Sequence, residues 1–220
     1  MPTDQALIDL LISEFQTPNL GSMTSAAMND RYEAFIWLLA IRAARQEGAT
    51  VSLQNVGGLP ATSPVLRTSP GVIYSLNQNY THAVIAFPGK PELEAHLGVQ
   101  IDAKSGVAHE ADVAVLDRAE AILCRENSVN PRYFSALIIA ECKYYSTPLP
   151  LGLSRNFIGL SREMRALDCF FVANQDSTNV SKVLAYDRSH FRTLVLPSTS
   201  PAENLLHQFR AKYNHFKALY

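Results

Sequence analysis

In three segments toward the two ends of the chain, apolar residues recur every three to four positions, and this spacing predicts amphipathic helices. The first helix is expected over residues 3–16. The second is expected over residues 26–47, with Gly48 as its stop. The third is expected over residues 200–218, because Ser200 to Glu203 form a capping box with proline at the first helical position.

Between the second and third helices the apolar runs are shorter and predict buried strands. Runs over residues 93–102 and 107–116 flank a glycine-containing turn, which is typical of a β-hairpin. Two more strands are predicted over residues 134–142 and 169–172, with an amphipathic helix over residues 153–164 between them. Lesser signals indicate an apolar run over 83–87, short strands over 51–53, 72–76 and 191–196, and a short helix around residue 184.

The order of helix, three strands, helix and strand, with extra helices at both ends, predicts an α/β fold with a mixed sheet between helices. We expect one domain over residues 1–220, whose core covers about residues 26–174. Residues 49–80 are rich in proline and glycine and are interpreted as an insertion in this core. Residues 175–220 are interpreted as a C-terminal extension.

Composition and charge exclude several classes of protein. Hydrophobic residues make up 47% of the 220 residues, which indicates a packed core rather than a disordered chain. The net charge of −1 provides no global positive field, so a nucleic-acid partner needs a local basic patch. The longest apolar run is far shorter than the ~20 residues of a membrane span, so no membrane partner is expected. Three cysteines and the lack of a secretory pattern at the N-terminus favour reduced thiols in the cytoplasm.

Two short polar strings lie at the ends of predicted strands and carry the clearest candidate chemistry. One string places Glu110 and Asp112 two positions apart, just before an apolar run. The other places Glu141 and Lys143 two positions apart, just after an apolar run. Residues two apart share one face of a strand, so three carboxylates and one lysine converge if the two strands are neighbours. Charges beside such buried strands are costly unless they are paired or bind a metal.

Oxygen ligands from Asp112, Glu141 and the backbone carbonyl of Cys142 suit Mg²⁺, which takes few protein ligands and keeps several waters. Mn²⁺ is expected to substitute for it. Such an ion acidifies a bound water and neutralises charge on a phosphate. Lys143 would orient the attacking water, help to deprotonate it, or contact the transition-state oxyanion. The six histidines and three cysteines show no zinc-like spacing.

The order of these residues along the chain resembles the PD-(D/E)xK nuclease superfamily. A helix that bears a glutamate comes first, an aspartate on a hairpin strand follows, and Glu-x-Lys lies on the next strand. The resemblance covers roughly residues 26–174 and implies a restriction-endonuclease-like fold with an αβββαβ core. It implies that Asp112 and Glu141 are the acidic metal ligands. It also implies that Lys143 is the family's catalytic lysine and that Glu33 is the glutamate that some members carry on the first helix.

The resemblance implies a Mg²⁺-dependent endonuclease that hydrolyses phosphodiester bonds of DNA, with restriction or defence as its role. RNA is an alternative substrate, because metal chemistry at phosphate is similar for both nucleic acids. A non-catalytic subunit that binds nucleic acid or protein on the same fold is a second alternative. A single small domain is expected to cut one strand, so cutting a duplex would need a homodimer or a larger defence complex.

Several acidic positions allow two interpretations. Glu141 and Lys143 also suit a surface ion pair, which contributes only ~0–1 kcal/mol. Glu110 is either a second metal ligand or a solvated edge residue.

Ala111 stands where the superfamily has a proline before the aspartate, a proline that members often drop.

The helix predicted after the Glu-x-Lys string carries the candidate contacts to nucleic acid. It has no glutamine where some members of the superfamily place one, and its polar candidates are Arg155, Asn156 and Arg162. Arg155 and Arg162 are seven residues apart and so share one face of the helix. Together with Lys104 they would line a phosphate groove, and the alternative is an ordinary solvated helix face.

Overall fold

The structure is a computed structural model that describes residue 13 and residues 28–61, 64–75, 79–165 and 168–220. In these residues a seven-stranded mixed sheet packs with five helices, which places the chain in the α/β class. The helices are α1 (Met28–Gln46), α2 (Arg118–Asn127), α3 (Gly152–Glu163), α4 (Thr178–Tyr186) and α5 (Ser200–Leu219). The strands are β1 (Thr50–Asn55), β2 (Thr81–Ala86), β3 (Leu93–Asp102), β4 (Ala108–Asp117), β5 (Ala136–Lys143), β6 (Cys169–Ala173) and β7 (His190–Arg192).

The strands lie in the sheet in the order in which they occur along the chain, and only the direction of pairing changes. Neighbours from β1 to β5 pair antiparallel, whereas β5, β6 and β7 pair in parallel. Parallel neighbours need a crossover connection, and α3 and α4 provide these crossovers. The sheet therefore changes from antiparallel to parallel at β5, the strand that carries the Glu-x-Lys string.

Helices cover both faces of the sheet and enclose two hydrophobic clusters. On one face α1 and α5 bury large side chains such as Trp37 and Phe209. On the other face α2, α3 and α4 contribute Cys124, Phe157 and Leu184. Side chains alternate between the two clusters along the strands, but this alternation shifts by one residue within β3 and β4. Leu97 and Val113 join the first cluster, whereas Val99 and Ala111 join the second.

The long predicted elements are confirmed. The helix predicted over 26–47 is α1, the hairpin over 93–116 is β3 with β4, and the helix over 200–218 is α5. The strands predicted over 134–142 and 169–172 are β5 and β6, and the helix between them is α3. Part of the predicted insertion is also a strand of the sheet, since β1 pairs with β2 over its whole length.

Two helix starts differ from the prediction. Thr199 rather than Ser200 caps α5, because the Thr199 side chain accepts a hydrogen bond from the amide of Ala202. The helix α2 was not predicted at all, although Asp117 caps it by accepting from the amide of Ala119. Few of its residues are buried, so the apolar pattern that reveals a helix is weak there.

Two predicted strands are shortened or replaced. The strand predicted over 191–196 ends early as β7, because Leu194 has a φ of 58°, in the left-handed region that breaks an extended chain. The described residues of the strand predicted over 72–76 form a turn instead. The carbonyl of Val72 accepts from the Arg67 guanidinium at 2.7 Å and is not used in a strand ladder.

The helix predicted over residues 3–16 lies outside the described residues, apart from residue 13. In the described part of the chain, none of the helices combines the length and the apolar character needed to cross a bilayer.

Candidate active site

The antiparallel neighbours β4 and β5 separate at one end of the sheet, where the predicted polar residues lie. Their regular pairing stops at Val113 opposite Ala140. The next residues beyond that point are Asp112 on β4 and Glu141 on β5. Here the amide of Cys142 donates to the carboxylate of Asp112, with 2.6 Å between nitrogen and Oδ2. The sheet therefore opens into a gap that acidic side chains border.

The lysine of the Glu-x-Lys string lies between two carboxylates in this gap. Nζ of Lys143 is 2.6 Å from Oε1 of Glu141 and 3.6 Å from Oδ2 of Asp112. The three side chains line a cavity of about 270 Å³ together with Glu110 and Asn156. The structure thus brings together all four charged residues that the two strings carry.

The first helix of the fold brings a fourth carboxylate to the same gap. Glu33 lies on α1, which packs on the face of the sheet opposite α3, and it is half-buried. With Glu141 and Lys143 it lines a cavity of about 580 Å³. Four carboxylates therefore surround a single ammonium group.

Burial and nearby negative charge oppose full ionisation of Asp112, Glu33 and Glu110. Burial and the charge of Glu141 raise the pKa of Asp112 from 3.8 to about 7, although Lys143 and the Cys142 amide oppose this rise. Burial, followed by the charge of Asp112, raises the pKa of Glu33 from 4.5 to about 9. Near neutral pH the site therefore holds protons on carboxylates.

The lysine keeps its own proton. Burial alone would lower the pKa of Lys143, but Asp112 and Glu141 outweigh burial and raise that pKa above its usual value. Burial and the neighbouring Glu141 also raise the pKa of Glu110. A divalent cation in the gap would release the carboxylate protons, because added positive charge removes the repulsion that retains them.

Cys142 contributes its backbone to the gap and its thiol to the core. Its side chain is buried in the cluster beneath α1. The amide and the carbonyl of one strand residue point to the same side, so the Cys142 carbonyl faces the side of Asp112. That carbonyl and the carboxylates of Asp112 and Glu141 form an oxygen-only donor set, bordered by Glu33 and Glu110. Such a set suits Mg²⁺ or Mn²⁺.

The backbone next to the lysine is held by Asn174, directly after β6. The Asn174 amide donates to the carbonyl of Lys143 at 3.2 Å. Its buried side chain accepts from the amide of Tyr145 at 2.8 Å and donates to the carbonyl of Tyr145 at 2.9 Å. These three bonds continue the β5–β6 pairing past the strand ends. Asn174 was not predicted as a site residue, because its only signal in the sequence is a single asparagine after a buried strand.

The predicted basic contacts to phosphate are not among the described residues that line the two cavities. Arg162 pairs with Asp187 at 2.9 Å, and Nζ of Lys104 donates to the Arg162 carbonyl at 3.3 Å. Arg155 is exposed on α3. Its neighbour Asn156 lines both cavities and is the polar residue of this helix that reaches the gap.

A second polar cluster, buried beneath α2, escaped the sequence analysis. The ligand atoms of His82, Glu94 and His96 lie within 4.8 Å of one another. His82 is on β2 and the other two are on β3, so only the pairing of these strands brings the three together. In zinc motifs that are recognisable from sequence, only a few residues separate paired cysteine or histidine ligands. His82 and His96 are much farther apart in the sequence, so their spacing did not predict a metal site.

Comparison with known proteins adds no relative: no family model matches the chain, and no match was found among curated proteins or solved structures. Membership of the PD-(D/E)xK superfamily therefore stays a prediction.

Proposed function

We propose that the chain is a Mg²⁺-dependent endonuclease that hydrolyses phosphodiester bonds of DNA on a restriction-endonuclease-like fold. The observation that supports this most is the convergence of Asp112, Glu141 and Lys143 where β4 and β5 separate. A structural ion pair needs one carboxylate for one lysine. This gap has four carboxylates, those of Glu33, Glu110, Asp112 and Glu141, for the single lysine Lys143. The raised pKa values of Asp112 and Glu33 are the expected property of a site that is completed by a cation.

Each residue of the gap has a role in this proposal. Asp112, Glu141 and the Cys142 carbonyl would hold the ion, and Glu33 would assist from α1. When bound, Mg²⁺ supplies positive charge beside the scissile phosphate and acidifies an attacking water. Lys143 stays protonated, so it orients this water and stabilises the negative charge that develops on the phosphate oxygens. In-line attack breaks one P–O bond and, following the family resemblance, leaves a 5′-phosphate.

The gap is accessible to a substrate. The side chains of Lys143 and Glu141 keep 24% and 22% of their surface exposed, so a phosphate group can reach them. One chain provides one such site, and it would cut one strand at a time. Cutting a duplex would then need a second copy or a larger complex. A cytoplasmic restriction or defence role follows from the family resemblance.

A cleavage assay tests the proposal. Supercoiled plasmid, single-stranded DNA and RNA are incubated with the protein in Mg²⁺, Mn²⁺ or EDTA. We expect metal-dependent cutting of DNA by the wild type and by Glu126→Gln, which removes an exposed carboxylate on α2. We expect Asp112→Asn and Lys143→Ala to fold and to lose cutting, while Lys182→Ala on α4 keeps it. Cutting by Lys143→Ala at the wild-type rate would refute the role given to the lysine.

Stability measurements separate an inactive nuclease from a binding module. If the gap binds Mg²⁺, the ion stabilises the folded wild type by linkage and stabilises Asp112→Asn less. Cutting of RNA in preference to DNA would change the substrate and leave the site assignment intact. Absence of cutting on every substrate, together with equal responses of wild type and Asp112→Asn to Mg²⁺, would favour a non-catalytic binding subunit.

A further inference from the structure

Three potential metal ligands converge at a buried place between β2 and β3. His82, Glu94 and His96 are each at most 1% exposed. Nε2 of His96 is 3.0 Å from Oε2 of Glu94, and Nε2 of His82 is 3.6 Å from the same oxygen. The cluster shares none of its residues with the gap between β4 and β5, so its role is independent of the proposed nuclease site.

The imidazole of His82 is incompletely satisfied by the protein. Both of its ring nitrogens are buried, and neither has a hydrogen-bond partner among the described residues. Buried polar groups normally have partners, so this ring points to a ligand other than a protein group. Burial and the neighbouring His96 lower the pKa of His82 to about 3, which keeps the ring neutral. The neutral imidazole is the form that binds a metal ion.

The carboxylate of Glu94 is oriented by arginine and still has an acceptor position toward the histidines. Arg125 donates to Oε2 at 2.8 Å and to Oε1 at 2.7 Å, and Nε of Arg118 is 3.4 Å from Oε1. Each carboxylate oxygen has two lone pairs, so Oε2 retains one that faces the imidazoles. Two guanidinium groups already offset the charge of Glu94. Most of the binding free energy of a cation must therefore come from its bonds to the ring nitrogens.

A tyrosine gives His96 the outer partner that metal-binding histidines normally have. The Tyr80 hydroxyl is 3.4 Å from Nδ1 of His96 and 3.4 Å from the carbonyl of Ile73. When the hydroxyl donates to this carbonyl, it accepts from Nδ1–H of His96, and Nε2 then carries a lone pair. In this tautomer Nε2 and Oε2 of Glu94, 3.0 Å apart, both offer lone pairs to a cation, whereas in the other tautomer Nε2–H donates to Oε2.

We propose that His82, Glu94 and His96 bind a divalent transition-metal ion of the zinc class, which ties β2 to β3 beneath α2. Two nitrogen donors and one oxygen donor suit Zn²⁺, whereas Mg²⁺ prefers oxygen ligands alone. Three protein ligands leave one coordination position, which a water molecule fills. Because the cluster is buried, the ion enters while the chain folds.

Metal content after refolding tests this proposal. The full chain is unfolded in a chelator, refolded with Zn²⁺ or with Mg²⁺, dialysed, and analysed for bound metal. The Asp112→Asn background is used so that Zn²⁺ held in the gap between β4 and β5 is not counted. We expect about one retained Zn²⁺ per chain and a higher melting temperature than after refolding with Mg²⁺. A chain that refolds fully and retains no zinc overturns the proposal.

Histidine variants place the ion in that same background. His82→Gln and His96→Gln should each lower the affinity for Zn²⁺ by at least about 100-fold. The control His215→Gln removes an exposed imidazole on α5 and should leave the affinity unchanged. Unchanged affinity in both buried-histidine variants overturns the proposal. If these variants fail to fold, the Co²⁺ form of the background chain decides: the absorption of a four- or five-coordinate ion supports the site, and that of a fully hydrated ion refutes it.

Discussion

Replacing Asp112 by asparagine should stabilise the metal-free protein at neutral and alkaline pH, although it removes an ionic partner of Lys143. The pKa of Asp112 rises from 3.8 to about 7 on folding, chiefly because of burial and secondly because of Glu141. An acid whose pKa is higher in the folded state destabilises the fold as the pH rises from the unfolded pKa to the folded pKa. Asparagine does not ionise and therefore avoids this loss.

The size of the effect follows from the same pKa values. The interval from 3.8 to about 7 corresponds to about 4 kcal/mol, at about 1.4 kcal/mol for each pKa unit. Asparagine keeps an oxygen for the Cys142 amide, but burying its unpaired amide hydrogens costs about 1–3 kcal/mol. We therefore expect a net stabilisation of about 2 kcal/mol above pH 7, or about 4–8 °C in melting temperature. Below pH 3.8 the stabilisation should be absent, because Asp112 is protonated in both states.

Urea unfolding in EDTA, repeated between acidic and alkaline pH, measures this difference. The gap in stability between Asp112→Asn and wild type should widen as the pH rises toward 7 and then level off. The matched variant Glu126→Gln, with its carboxylate exposed, should show no such dependence. Added Mg²⁺ should reverse the order, because it stabilises the wild type more. If Asp112→Asn is the less stable protein above pH 7 in EDTA, Asp112 is an ordinary ionic partner of Lys143 and its pKa is not raised by folding.

Three further predictions concern the Mg²⁺ affinity, the protonation of His82 and the partner of Glu94. Mg²⁺ affinity, measured by calorimetry, should rise as the pH increases through about 7 and toward 9, because Asp112 and Glu33 must lose their protons to bind the ion; a flat profile would contradict this. His82 by itself should cost the metal-free protein about 2 kcal/mol of stability at pH 5 relative to pH 8, because its pKa is about 3 when folded and 6.5 when unfolded. Asp112 and Glu33 change stability in the opposite direction, so the cost is measured as the pH-dependent difference in urea unfolding between wild type and His82→Asn; a difference that does not change with pH would contradict it. Arg125→Met should destabilise the protein by about 3–5 kcal/mol, because it leaves the buried charge of Glu94 without its bidentate partner; a neutral effect in thermal unfolding would show that Arg118 suffices.

Much of the fold was predictable because the information lies within single elements. The apolar stripe of α1 and the alternation along β3 and β4 repeat with the periods of a helix and a strand, so local sequence specifies them. In contrast, α2 has two buried residues, Ala121 and Cys124, and its polar surface hides the helical period. The early end of β7 depends on the left-handed backbone of Leu194, which no apolar pattern reveals.

The candidate active site was predictable in part for the same reason. Glu141 and Lys143 are two residues apart on β5, so they share a face wherever that strand lies. Glu110 and Asp112 both line the gap as well, although the alternation of β4 shifts between Ala111 and Val113. The residues Arg155 and Arg162 share a helix face by the same argument, but the structure shows Asn156 at the gap instead. Periodicity predicts which side chains of one helix or strand point the same way. It does not predict which face of that helix or strand packs toward the site.

Local sequence specified the strongly periodic elements, such as α1, β3 and β4, and the two charged pairs at the strand ends. Tertiary structure alone decided that β4 and β5 stop pairing at Val113 and Ala140, which opens the gap, and that α1 brings Glu33 to it. It also decided that β2 and β3 bury two histidines against one glutamate. These features depend on contacts between residues far apart in the chain, where packing and desolvation, rather than local period, set both the distances and the protonation of the groups.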